Sequence, residues 1–175
     1  MLTNVLVLFS QPLIHVLSMG HKYTTEQKEN LYQECLTLIH GLVEEENDLI
    51  AGLANVSAVL KDAFHWWWVG FYIVKNDELV LGPFQGPVAC TRIAHGKGVC
   101  GTAWAKNEVQ IVEDVHQFPG HIACSAESNS EIVVPLRKNG KVVAVLDADS
   151  ERFSSFDETD RLFLEKICAT LENLF

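Results

Sequence analysis

Three cysteines and three acids carry the chemistry that this sequence could perform. Cys90, Cys100 and Cys124 fall in the loop-rich middle of the chain, and Glu131, Asp147 and Asp149 follow them. Cys124 stands in GHIACSAESNSEIVVP, after a Pro-Gly turn and before a polar stretch. Its surroundings leave three readings open: a packed small hydrophobe, a metal ligand or a nucleophile. As a thiolate it could attack an electrophilic sulfur or carbon, provided its pKa is lowered. His121 or a helix N-terminus would lower it; the neighbouring acids would oppose that. A second thiol brought close would turn a sulfenic acid into a disulfide. Cys90, Cys100 and Cys124 can equally be inert buried thiols, a common fate of free cysteine. His95, Cys100, His116, His121 and Cys124 match no standard zinc spacing, so no metal is expected. HGKGVCG lacks the Lys-Ser/Thr ending of a phosphate-binding loop.

The acids need a hairpin to gather them. EIVVPLRKNGKVVAVLDADS (131–150) reads as two strands around Lys138-Asn139-Gly140. A two-residue Asn-Gly loop would pair Lys138 with Lys141 and set Glu131 opposite Ala148. A three-residue loop, with Gly140 left-handed in a bulge, would pair Arg137 with Lys141 and set Glu131 opposite Asp147. The longer loop is expected, because it keeps Ile132, Val134 and Leu136 against Leu146, Ala144 and Val142. Glu131, Asp147 and Asp149 then share one face, since residues two apart on a strand point the same way. Crowded like charges raise at least one pKa. Such a cluster is either a set of solvated strand-end acids or an anionic pocket floor. A floor of this kind could seat an ammonium group and supply a general acid.

The rest of the chain supplies the scaffold. Thr24 and Gln27 form a capping box, and Leu31, Cys35, Leu38 and Leu42 recur at helical spacing over 25–42. A second helix is predicted near 48–63. A third spans 156–173, opened by a capping box at Ser155 and Glu158. Cys35 and Cys168 lie on apolar helical stripes and belong to the core. Strands are predicted at 66–74, 78–84, 88–93 and 109–114, with a Gly-rich turn and short helix at 96–106. In the first strand Trp66 and Trp68 are expected on one face and Trp67 on the other. Trp68 and Tyr72 could wall an apolar pocket for a methyl or thioether group. The order helix–helix–sheet–helix predicts an α+β domain, an antiparallel sheet covered by helices.

Composition narrows the function classes. With 175 residues, 48% of them hydrophobic and 21% charged, the chain can build one real core. A net charge of -10 argues against nucleic acid or an anionic membrane as partner. Five cysteines with no C-x-x-C spacing argue against a disulfide framework and for a reducing, cytoplasmic setting. Residues 1–18 are apolar, but no Lys or Arg precedes the run and Gln11-Pro12 interrupts it. They read as neither signal peptide nor membrane span and are set aside as an extension of unknown role, with Met19 an alternative start. Residues 19–175 are read as a single domain.

Several blocks in series, WVGFY, LGPFQGPVAC, GKGVCGTA, DVHQFPGHIAC, SEIVVP and VLDADS, resemble the free methionine-(R)-sulfoxide reductases. These are stand-alone GAF-type domains, and the resemblance runs from about residue 25 to 173. It implies a GAF-like fold, a six-stranded antiparallel sheet with helices on one face, often as a homodimer. It implies reduction of free methionine sulfoxide, with Cys124 as catalytic cysteine, Cys90 as resolving cysteine and Cys100 as a third family cysteine. Glu131, Asp147 and Asp149 match its polar substrate residues, and Trp68 and Tyr72 the wall around the substrate's methyl end. No bound cofactor is implied, only a thioredoxin-type dithiol as external reductant. The rival readings are a GAF-type sensor of a small ligand without chemistry, and a thiol redox switch without substrate.

Overall fold

A computed structural model of the protein describes residues 23–120 and 126–175. Two helices come first, α1 (Thr25–Val43) and α2 (Leu49–Phe64). Strands β1 (Trp68–Lys75), β2 (Glu78–Gln85) and β3 (Arg92–Ala94) lead to helix α3 (Gly98–Lys106). Strands β4 (Gln110–Val112), β5 (Ser130–Lys138) and β6 (Lys141–Ser150) follow, and α4 (Glu158–Thr170) closes the chain with a short 3-10 turn. The six strands form one sheet in the order β3-β2-β1-β6-β5-β4, every pair antiparallel.

Alternation along the strands gives the sheet two apolar faces. Val69, Phe71, Ile73, Ile132, Val134, Leu136, Leu146 and Ala148 meet the buried stripes of α1, α2 and α4. Trp68, Tyr72, Val133 and Val145 point the other way, toward Val99, Cys100 and Ala103 of α3. The three long helices therefore cover one face, as expected, and the short α3 lies on the opposite one. Cys35 and Cys168 are buried in the helical core, also as expected. Among the described residues no helix is long and apolar enough to cross a membrane. The extension at 1–18 lies outside the described residues.

Two local expectations fail for identifiable reasons. The capping box of the last helix is not Ser155 with Glu158. Asp157 is the N-cap and Asp160 its reciprocal partner, so the helix begins two residues later than that box requires. Trp66 and Trp68 do not share a face. His65 caps α2 in the left-handed region (φ 54°) and β1 begins only at Trp68. Trp66, ahead of the strand, stacks on Phe64 at 4.5 Å in the helical core.

The hairpin departs from expectation in an instructive way. The loop is the two-residue one: Lys138 pairs with Lys141, and Asn139 and Gly140 both have positive φ (54° and 77°). That pairing alone would set Glu131 opposite Ala148. Instead the register shifts between Arg137, opposite Val142, and Leu136, opposite Ala144, leaving Val143 as a bulge. Glu131 consequently faces Asp149, not Asp147, and Val133 faces Asp147. The surplus residue sits in β6 rather than in the turn. The acids still share a face, because one extra residue restores the parity in either place.

Gly70 fixes how β1 enters this face. A Cβ there would lie 2.3 Å from Phe84 Cβ and 2.8 Å from the Trp68 ring. That close approach lets Trp68 stack with Phe84 at 5.3 Å and Tyr72 at 5.9 Å. Gly70→Ala is expected to cost about 1–3 kcal/mol in urea unfolding and to shift Trp68 fluorescence. Unchanged stability and emission would show that the contact yields freely.

Candidate active site

The sheet face that carries α3 also holds a cavity of about 50 Å³, lined by Trp68, Tyr72, Cys100, Glu131, Asp147 and Asp149. Six of the eight residues singled out from the sequence thus converge there. Each is placed by register. Gly70 pairs with Asp147 and Trp68 with Asp149 across β1 and β6, while Glu131 meets Asp149 across β5 and β6. Cys100 reaches in from the first turn of α3, its Sγ 3.9 Å from Glu131 Oε1.

Burial makes the cluster electrostatically tense. Glu131 and Asp147 are each 6% exposed, and Oδ1 of Asp147 has no hydrogen-bond partner among the described residues. Among the described residues no Lys, Arg or His forms an ion pair with any of the three acids. Burial, then the charges of Asp147 and Asp149, hold the Glu131 carboxyl well above its usual range. Burial and the Asp149 charge do the same to Asp147. Asp149 rises to about 6 through burial, against the opposing hydrogen bond from Ser128. The trio therefore retains a proton near neutral pH. Burial and the acids also push the Cys100 thiol up, so it is a poor nucleophile as it stands.

A carboxyl raised in the fold adds stability below its ordinary pKa and loses it as pH rises through the folded value. For Asp149 that window runs from the ordinary carboxylate range up to about 6. The protein is expected to lose Tm between about pH 4 and about pH 7, and Asp149→Asn to flatten that decline. An equal decline in the variant would place the titration elsewhere.

Sequence reasoning missed part of the lining. Ser128 Oγ donates to Asp149 Oδ1 at 2.5 Å and holds that carboxylate in place. Lys97, Gly98 and Val99 form a further stretch of wall at the start of α3. The first α3 donor to find an acceptor is Gly101 N–H, on Lys97 O at 2.9 Å. The N–H groups of Gly98, Val99 and Cys100 have no acceptor among the described residues, as at any helix start. The signal was available in HGKGVCG, although the expected phosphate-loop ending is absent. The cavity lining thus combines three acids, free helix-start N–H groups, Lys97 and an apolar Trp68–Tyr72 wall, a set that suits a small zwitterion bearing an apolar tail.

The remaining cysteines divide. Cys90 is disulfide-bonded, while Cys35, Cys100 and Cys168 are free. Cys90 is half-buried against the site-face core, next to Val88 and Ala89 of the cavity wall. Cys124 lies outside the described residues, as does His121. Of the sequence-proposed metal set, His95 packs edge-on against Trp104 and His116 pairs with Asn129. A different trio is close. Cys100 Sγ and carboxylate oxygens of Glu131 and Asp147 lie within 4.8 Å of one another.

Comparison with known proteins follows the same lines. The GAF domain family model matches residues 51–175. The chain is 56% identical over 147 residues to GAF domain-containing protein A of Dictyostelium discoideum, covering 83% of this chain and 93% of that protein. It is 47% identical over 148 residues to the free methionine-R-sulfoxide reductase of Escherichia coli, covering 84% and 90%. A crystal structure of free methionine-R-sulfoxide reductase from Neisseria meningitidis, in complex with its substrate, superposes with a TM-score of 0.84 at 55% identity. That superposition covers 89% of this chain and 93% of the other.

Proposed function

Since the chain belongs to the free methionine-R-sulfoxide reductase family of GAF domains, we propose that it reduces free L-methionine-(R)-sulfoxide to methionine with its own thiols. The observation that carries this reading is the Asp147 Oδ1 that lacks a hydrogen-bond partner among the described residues, buried in an acid trio that retains a proton beside the Trp68–Tyr72 wall. It supplies a proton source and a cation seat in one cavity.

A carboxyl of the trio hydrogen-bonds and then protonates the sulfoxide oxygen, making sulfur more electrophilic. Cys124 thiolate attacks that sulfur. The oxygen passes to the cysteine as a sulfenic acid, and methionine leaves, reduced by two electrons. Cys90 thiol then attacks the sulfenic sulfur, expelling water and closing a disulfide. A thioredoxin-type dithiol returns the pair to thiols and is itself oxidised. The disulfide state of Cys90 supports its part in this cycle. The remaining acids hold the substrate ammonium, and Lys97 with the start of α3 holds its carboxylate. A peptide-bound residue lacks both charges, so the free amino acid is the favoured substrate. Three free cysteines suit a reducing compartment such as the cytoplasm.

The test is an assay of separated R and S epimers, free and peptide-bound, with a thioredoxin-type reductant. Only the free R epimer is expected to yield methionine over many turnovers. Cys90→Ser should stop after a single methionine per chain under the same conditions. A purely sensory GAF domain would bind without forming methionine. A thiol switch would form the disulfide with peroxide alone.

A further inference from the structure

We infer that the acid cluster is also a site for a thiophilic divalent cation of the zinc class, held by Cys100, Glu131 and Asp147, which bars the amino-acid substrate. These residues come from three elements, α3, β5 and β6, and are 4%, 6% and 6% exposed. Their ligand atoms lie within 4.8 Å of one another, with Cys100 Sγ 3.9 Å from Glu131 Oε1. Zinc takes thiolate at about 2.3 Å and carboxylate at about 2.0–2.2 Å, so small side-chain rotations suffice to close the set. Asp147 Oδ1 is buried with no hydrogen-bond partner among the described residues, so it has lone pairs free for a cation in the cavity that it lines.

The cavity of about 50 Å³ leaves room for a water as fourth ligand. Three protein ligands and an open position make a complete coordination set for this metal. A thiolate among the ligands selects against magnesium and calcium, which want oxygen alone. On binding, the thiol proton leaves to solvent as sulfur becomes a ligand. The metal holds the carboxylates that the substrate needs, so metal and methionine sulfoxide exclude one another. The coordination rests on geometry alone; the competition rests also on the function proposed above.

The experiment titrates Co2+ into the metal-stripped, oxidised protein, in which Cys90 is held as a disulfide. A thiolate-to-cobalt charge-transfer band is expected, saturating at one metal per chain and bleached by Zn2+. Cys100→Ser should abolish the band, and Asp147→Asn should weaken affinity by about 10-fold or more. A band that persists in Cys100→Ser, or no band at all, overturns the site. Methionine sulfoxide should displace the cobalt. If the band forms but ignores methionine sulfoxide, the metal site stands, the competition is overturned and the substrate placement falls with it.

Discussion

Cys124→Ser is expected to lower methionine formation by about 10³-fold or more, because a serine hydroxyl cannot become the nucleophile here without a strong base beside it. The three free thiols among the described residues are poor substitutes. Cys35 is buried in the helical core, its pKa pushed up to about 12 chiefly by burial. Cys168 is buried there too, and burial likewise raises it. Cys100 lines the cavity but is held protonated by burial and by the acids around it. The loss should fall on kcat and not on substrate affinity, since the acids, Trp68 and Tyr72 are untouched. Quenching of tryptophan emission by methionine sulfoxide reads the affinity separately. With dithiothreitol as reductant the resolving step is bypassed, so Cys90→Ser recovers turnover where Cys124→Ser does not. Turnover of Cys124→Ser within about 10-fold of wild type would remove this residue from the chemistry.

Asp160→Ala should destabilise the fold by about 3–5 kcal/mol, since it leaves a buried cation with only the half-exposed Asp157 as its carboxylate and takes the acceptor from the buried Tyr32 hydroxyl. Asp160 is 1% exposed and accepts from Lys28 Nζ at 2.6 Å, Tyr32 Oη at 2.7 Å and Asp157 N–H at 2.8 Å. Lys28 is itself 5% exposed, and its second partner, Asp157, lies 2.9 Å away on the rim. The network ties α1 to the start of α4 and closes the capping box there. Removing both charges, in Lys28→Met with Asp160→Leu, should recover much of the loss. Urea unfolding at constant m-value measures both variants. A loss below about 1 kcal/mol for Asp160→Ala would mean that water reaches Lys28 unhindered.

The legible parts of this molecule were those written in period and parity. Leu31 and Cys35 mark the α1 stripe, which continues through Ile39 and Val43 and not through the expected Leu38 and Leu42, and Glu131, Asp147 and Asp149 share a face because strand side chains alternate. The position of the surplus residue in the hairpin was not legible. A three-residue turn and a two-residue turn plus bulge have the same parity, and both set aliphatic residues of β5 against aliphatic residues of β6, so the apolar pattern does not distinguish them. Trp66 misled because a left-handed His65 has no sequence signature distinct from a strand start. Ser128 and Lys97 carry no periodic signal; they join the cavity only once loop and helix are folded against the sheet. The Lys28–Asp160 pair joins residues at opposite ends of the chain, beyond the reach of any local pattern.

The bulge at Val143 has a consequence for recombination among relatives. Turn and bulge act as a matched lock, in which neither half alone keeps carboxyls out of the oily layer beneath the helices. A chimaera that imports only the turn, or only the distal strand, would turn one strand's side chains over relative to its neighbour. The interchangeable module is therefore the whole ribbon from Ser130 to Ser150, and crossover points inside it should be barren however similar the parents.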